Sequence, residues 1–145
     1  MEEEKLETID VDAFVDDGEE EYDTTYKRSL KWDPEIGDFV RNKSHQIVEC
    51  SGEEAFAIWC FKTAMTERNS CVAYPDEYGI EMEAAMEDDE SDAVESMVER
   101  TITEALQVNP RTEYVQDFTF LWDADEMHTS FRVKGIGMEE FMVSI

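Results

Sequence analysis

The sequence predicts an α+β protein: a largely antiparallel sheet with two main helices packed on it, preceded by an acidic N-terminal tail. Three observations carry this. Apolar residues alternate with period two toward both ends of the chain, from Tyr26 to Trp32 and again from Phe118 onward. Between these runs lie two stretches with helical spacing, Gly52 to about Thr66 and Ser91 to Leu106. The segment Met1 to Asp23, by contrast, carries twelve acids against one lysine, with too little apolar surface to offset the entropy of ordering it. The chain divides accordingly into a disordered tail, residues 1–23, and a domain, residues 24–145.

Within the domain, Tyr26, Arg28, Leu30 and Trp32 share one face of a strand. Asp33-Pro34-Glu35-Ile36-Gly37 supplies turn chemistry before Asp38-Phe39-Val40, which makes a hairpin. His45 to Glu49 reads as a further extended segment. Ser51 and Glu54 have capping-box spacing at the start of the first helix. That helix places Phe56, Ile58, Trp59, Phe61 and Met65 on nearly every side, the pattern of a central buried helix. Ser70 to Tyr74 reads as a short strand or extended link ending at Pro75. The second helix is better patterned: Val94, Met97, Val98, Thr101, Ile102, Ala105 and Leu106 keep the three-four spacing until Asn109-Pro110 stops it. Phe118, Phe120 and Trp122 then alternate, the chain turns at Asp123 to Glu126, and Thr129, Phe131 and Val133 alternate back. A last run places Phe141, Val143 and Ile145 on one face.

Composition limits function. A chain of 145 residues is one domain. With 41% hydrophobic residues, three Trp and eight Phe, it can bury a real but small core. A net charge of -26, from 38 acids and 12 bases, repels nucleic-acid phosphates and anionic lipid. It suits partners with basic faces; an acidic inhibitor or DNA mimic is the rival reading. The acids concentrate in the tail and between Asp76 and Glu99, whereas a mimic needs phosphate-like spacing across the folded face. Cys50, Cys60 and Cys71 are odd in number without C-x-x-C spacing, which points to reduced thiols in a cytoplasm. Neither a basic, apolar secretion signal nor a run of the roughly 20 apolar residues of a membrane span is visible.

Chemistry is hard to find. His45 and His128 both fall in predicted strands with no ligand-spaced Cys or carboxylate beside them. Gly135-Ile136-Gly137 lacks the third glycine and following helix of a dinucleotide loop. No serine elbow or P-loop occurs, so no catalytic residue, metal ligand or cofactor is assigned, and enzyme is the weaker class.

The first predicted helix ends on Thr66-Glu67-Arg68, and Tyr78-Gly79 follows ten residues after the arginine. Arg68 suits the negative end of a helix dipole while Glu67 is disfavoured there, each by about 0.3–1 kcal/mol. A frayed, solvated end accounts for the pair taken alone. The wider pattern is more specific. It runs Trp32-Asp33 with Gly37, Gly52 with Glu54-Ala55, Thr66-Glu67-Arg68, Tyr78-Gly79-Ile80-Glu81-Met82, a helix closed by Asn109-Pro110, and a hairpin with Phe118 and Phe120.

In that order and spacing, from about Tyr26 to Ile136, the chain resembles the baseplate wedge proteins of contractile phage tails. It is most similar to the small sheath-initiator family in its Gram-positive phage and phage-tail-like particle form. The resemblance implies a structural baseplate protein of a virion or tail-like particle, made in the host cytoplasm, with no cofactor. Its implied partners are larger wedge subunits, tail sheath protein, and tube or hub proteins, with a ring of copies around the tail tube. Some members carry a lysozyme-like label, for which no catalytic carboxylate pair is legible here.

Carried over residue by residue, the wedge-bundle contact falls on Glu67 and Arg68, and Tyr78-Gly79 turns the following segment back beside them. Thr66 precedes the glutamate and no proline separates the pair, a departure from the family's usual loop. An arginine fork and an adjacent carboxylate suit contacts with another chain's donors and acceptors. The last run, Phe141, Met142, Val143, Ser144 and Ile145, has no Lys or Pro guarding an edge, which fits strand addition by sheath protein. Completing the protein's own sheet is the alternative.

Deleting residues 1–23 removes a net eleven negative charges. The melting temperature is expected to hold or rise as self-repulsion falls. A large drop would show that Leu6 to Val15 packs into the domain.

Overall fold

A computed structural model describes residues 25–145. The acidic segment Met1 to Asp23 lies outside the described residues. The elements run β1 (Ser29–Leu30), β2 (Trp32–Asp33), β3 (Asp38–Phe39), β4 (Glu49–Cys50), α1 (Gly52–Ala64), α2 (Met82–Ala85), α3 (Ser91–Gln107), β5 (Thr112–Asp123), β6 (Glu126–Gly135) and β7 (Phe141–Ser144). All strand pairing among them is antiparallel, and the main sheet has the order β5-β6-β7. The α+β class is as the alternating runs predict.

The central strand β6 shows why. Thr129, Phe131 and Val133 point inward and are buried, while at the alternate positions His128 and Arg132 are exposed and Ser130 is half-buried, as period-two pleating requires. Against this floor α3 lays Val94, Val98, Ile102 and Leu106, and α1 lays Phe56 and Cys60. Phe131 is fully buried and its ring stacks on Phe118 at 5.0 Å. Phe118 reaches that ring because β5 carries a bulge. Gln116 faces Arg132 and Thr119 faces Ser130, so Asp117 and Phe118 together oppose one residue. Asp117 takes the left-handed conformation that makes this possible, at φ 57°. The bulge lets Val115, Phe118 and Phe120 all pack against the core.

The hairpin forms as predicted, with Trp32 opposite Phe39. Asp33 Oδ1 accepts the N–H groups of Glu35 and Ile36, and Gly37 sits at φ 72°. The shared face predicted for Tyr26 to Trp32 is only partly built, since Arg28 and Leu30 are exposed. The strand switches partner within two residues, from β4 to β3.

Other expectations need correcting. His45 lies in a turn at φ 62°, where Asn42 Oδ1 takes the N–H groups of Ser44 and Gln46, and β4 begins only at Glu49. Ser51 is the N-cap of α1, but its hydroxyl makes no cap bond, and Glu54 reaches Lys31 at 3.0 Å instead. Ser70 to Tyr74 is neither strand nor extended link; backbone turns closed by Tyr74 N to Cys71 O and Tyr78 N to Pro75 O fill this region. Nor is α1 buried all round. It buries Ala55, Phe56, Cys60, Thr63 and Ala64, while Ile58 and Phe61 are only half-buried and Met65 is 59% exposed. The reason is position: grooves open on both sides of its outer face. Cys50 and Cys60 are buried and Cys71 exposed, and burial pushes both buried thiols up in pKa.

Replacing Phe131 by Ala is expected to cost about 3–5 kcal/mol in chemical denaturation, the range for removing a fully buried aromatic side chain. A loss under about 1 kcal/mol would mean that the core closes over the gap, contrary to the packing described.

Candidate functional site

Beyond Ala64 the chain leaves α1 through Met65, and the returning segment lies parallel to it. Ile80 donates its N–H to Thr66 O at 2.9 Å, and Arg68 donates to Ile80 O at 2.7 Å. Glu67 and Ile80 thereby form an isolated parallel bridge. Ile80 is 2% exposed and anchors the return in the core. Gly79 is required for so close an approach: its φ is +100°, and a Cβ there would lie 2.6 Å from Thr66 O.

The acid and base both find partners within the chain. Glu67 Oε2 accepts the N–H of Met82 at 3.0 Å, satisfying a first-turn donor of α2. Arg68 Nη2 donates to Gly79 O at 3.3 Å, and Nη1 pairs with Glu81 at 3.3 Å. Its Nε is buried without a hydrogen-bond partner. Glu81 N in turn donates to the buried hydroxyl of Thr101 on α3, at 2.8 Å. A carboxylate disfavoured at the end of α1 is thus accommodated by the helix start that follows. Of the four residues singled out in this region, Glu67, Arg68 and Gly79 converge. Tyr78 turns elsewhere, its ring 4.7 Å from Tyr74 and 6.5 Å from Trp59.

The second candidate region is β7. Val133 faces Phe141, Arg132 faces Met142, Phe131 faces Val143 and Ser130 faces Ser144. Ile145 and Thr129 exchange both backbone bonds at 2.9 Å. Antiparallel ladders alternate, so Phe141, Val143 and Ile145 direct their N–H and C=O groups at β6. Met142 and Ser144 direct theirs away, to an edge where no described strand pairs. Val143 is buried and Met142 is 60% exposed. A groove of about 360 Å³ lies along that edge, walled by Ile58 and Phe61 of α1 and by Trp32 and Pro34 of the hairpin.

The sequence reading missed the aromatic side of this region. Lys62 Nζ sits 5.0 Å from the Trp32 ring centre and 4.8 Å from that of Phe39, holding the hairpin on α1. Only the aromatic spacing of the hairpin hinted at it. Among the described residues, no group of three or more His, Cys, Asp or Glu side chains is arranged to hold a metal ion. What the surfaces offer is contact: a strand edge unpaired among the described residues, apolar walls and an internally tied acid–base loop.

Gly79→Ala is expected to cost about 1–3 kcal/mol through strain at a left-handed, crowded position. Arg68→Ala is expected to cost about 1–2 kcal/mol, because half-exposed Glu81 screens part of the pair. Denaturant titration measures both, and a Gly79→Ala protein as stable as the parent would overturn the account of the loop.

No individual curated protein matches the sequence. The family description of the contractile injection system sheath initiator matches residues 28–138, the greater part of the chain, from β1 through the β6–β7 link. The chain belongs to the contractile injection system sheath initiator family.

Proposed function

We propose that this protein sits in the baseplate as a non-enzymatic wedge component, docks on larger wedge subunits, and offers β7 as the edge on which sheath protein adds its first strand. The coarse role, a structural one at the start of the sheath, follows from the family. The observation supporting the finer reading is the outer edge of β7, with the N–H and C=O groups of Met142 and Ser144 directed at an apolar-walled groove. Main-chain bonds along such an edge supply affinity, and side chains entering the groove supply register. The loop of Glu67, Arg68 and Gly79, with Tyr78 beside it, is the wedge-facing element. Its internal ties hold it in one shape, so little conformational entropy is lost on docking. Copies arranged in a ring around the tail tube, against tube or hub proteins, would present their β7 edges together.

Position 142 isolates the outer edge. Proline there removes a donor directed away from β6, whereas proline at Val143 would break the protein's own ladder. Met142→Pro is expected to keep the fold and co-purification with the large wedge subunit while stopping sheath polymerisation. Sheaths of normal length and yield on that variant would refute the strand-addition reading.

A further inference from the structure

Nothing on β7 itself guards its outer edge. Soluble proteins blunt such an edge with charge, proline or a bulge, because its unpaired N–H and C=O groups invite another chain. Strand β5, at the opposite edge of the sheet, follows that rule through its bulge and through Glu113, Asp117 and Asp123. Strand β7 carries neither charge nor proline nor bulge. The groove beside it is apolar: Glu54 is the one charged residue among those lining it, and its carboxylate is paired with Lys31. Trp32, in the same wall, has a buried indole N–H with no partner among the described residues.

Three features of the chain identify a guard. The first is pattern. In Ile9-Asp10-Val11-Asp12-Ala13-Phe14-Val15, the residues Ile9, Val11, Ala13 and Val15 share one face of an extended chain, while Asp10 and Asp12 take the other. A strand so patterned can lay its apolar face against Ile58 and Phe61 and keep those acids in water. The second is reach. The Tyr26 ring lies 5.3 Å from that of Phe56, which lies 6.1 Å from that of Phe141, so Tyr26 stands at the Phe141 end of β7. Residues 16–24 span up to about 30 Å when extended. Val15 then falls near Phe141 and Ile9 toward Ile145, which makes the run antiparallel to β7. The third is charge. Residues 27–43 hold five of the twelve bases, Lys27, Arg28, Lys31, Arg41 and Lys43, against three acids. Trp32 and Pro34 of this segment wall the groove, so an acidic strand is attracted to it.

We propose that Ile9 to Val15 adds to the outer edge of β7 as an antiparallel strand and guards it until sheath protein takes its place. The assignment takes this run out of the tail expected to be disordered. The guard itself stands independently of sheath, whereas its displacement rests on the strand-addition reading. A strand that sheath protein must displace is held weakly, so its loss is read at the edge amides and not in the melting temperature.

The test is amide hydrogen exchange on the full chain labelled with 15N, compared with the double variant Ile9→Asp, Val11→Asp. The amides of Met142 and Ser144 are expected to exchange about tenfold faster in the variant, as for an edge closed some nine-tenths of the time in the parent. Those of Phe141 and Val143, bonded to β6, are expected to be unchanged. The conservative pair Ile9→Val, Val11→Ile is expected to keep the parent's protection. Equal exchange of Met142 and Ser144 in parent and double variant overturns the proposal, and so does equal acceleration at Phe141 and Val143. Protection that rises with protein concentration makes a second copy the occupant and also overturns it. With sheath protein added, the double variant is expected to start sheaths without the lag of the parent. If the edge is guarded as expected but sheaths start equally well on both proteins, the guard stands and the strand-addition reading falls.

Discussion

The inward face of β6 is the surface on which everything else rests. Among the described residues it is the one strand of the main sheet paired on both sides, and Phe131 and Val133 on it are fully buried. Buried residues of both long helices share one core with this face, α3 lying along β5 and α1 beside β7. The bulge at Asp117 serves the same core. Without it, Val115 and Phe118 could not face the same side, because a strand alternates strictly.

From that core the exposed features follow in order. Helix α1 is held at the rim, with one face toward β7 and the other toward the hairpin, so its outer apolar residues become groove walls. Strand β7 pairs with β6 through Phe141, Val143 and Ile145, which leaves Met142 and Ser144 directed outward. The loop from Thr66 to Met82 is tied by two backbone bonds and by Glu67 and Arg68, so that α2 is fixed beside the end of α1. Strand edge and acid–base loop are therefore neighbouring products of one packing arrangement. Ile145, the last ladder partner of Thr129, lines a groove with Glu67.

The acid–base pair is satisfied within the chain itself. Glu67 meets the first turn of α2 and Arg68 spans Gly79 and Glu81, which makes the loop rigid. A rigid loop presents its remaining surface without an ordering cost on association. The family resemblance implies another chain's donors for Glu67. The helix start fifteen residues on supplies a donor first.

Local periodicity alone determined the α+β class, the two long helices, the β5–β6 hairpin and the inward residues of β6, whereas the pairing of β7 with β6 stood only as an alternative to a strand supplied by another chain. Each is written within a few neighbouring positions, as alternation, three-four spacing or a stop signal. The order of motifs from Trp32 to Phe120 was specific enough to indicate the family. Tertiary structure decided what neighbouring positions cannot encode. It turned Ser70 to Tyr74 into turns and put His45 at a left-handed corner. It left α1 open on its outer face, because burial of a helix depends on what surrounds it and not on its own composition. It brought Trp32, Ile58 and Met142 together from three separate segments, and it gave Glu67 a partner in α2. Such convergence depends on how distant elements share one core, and no single stretch of this chain carries that information.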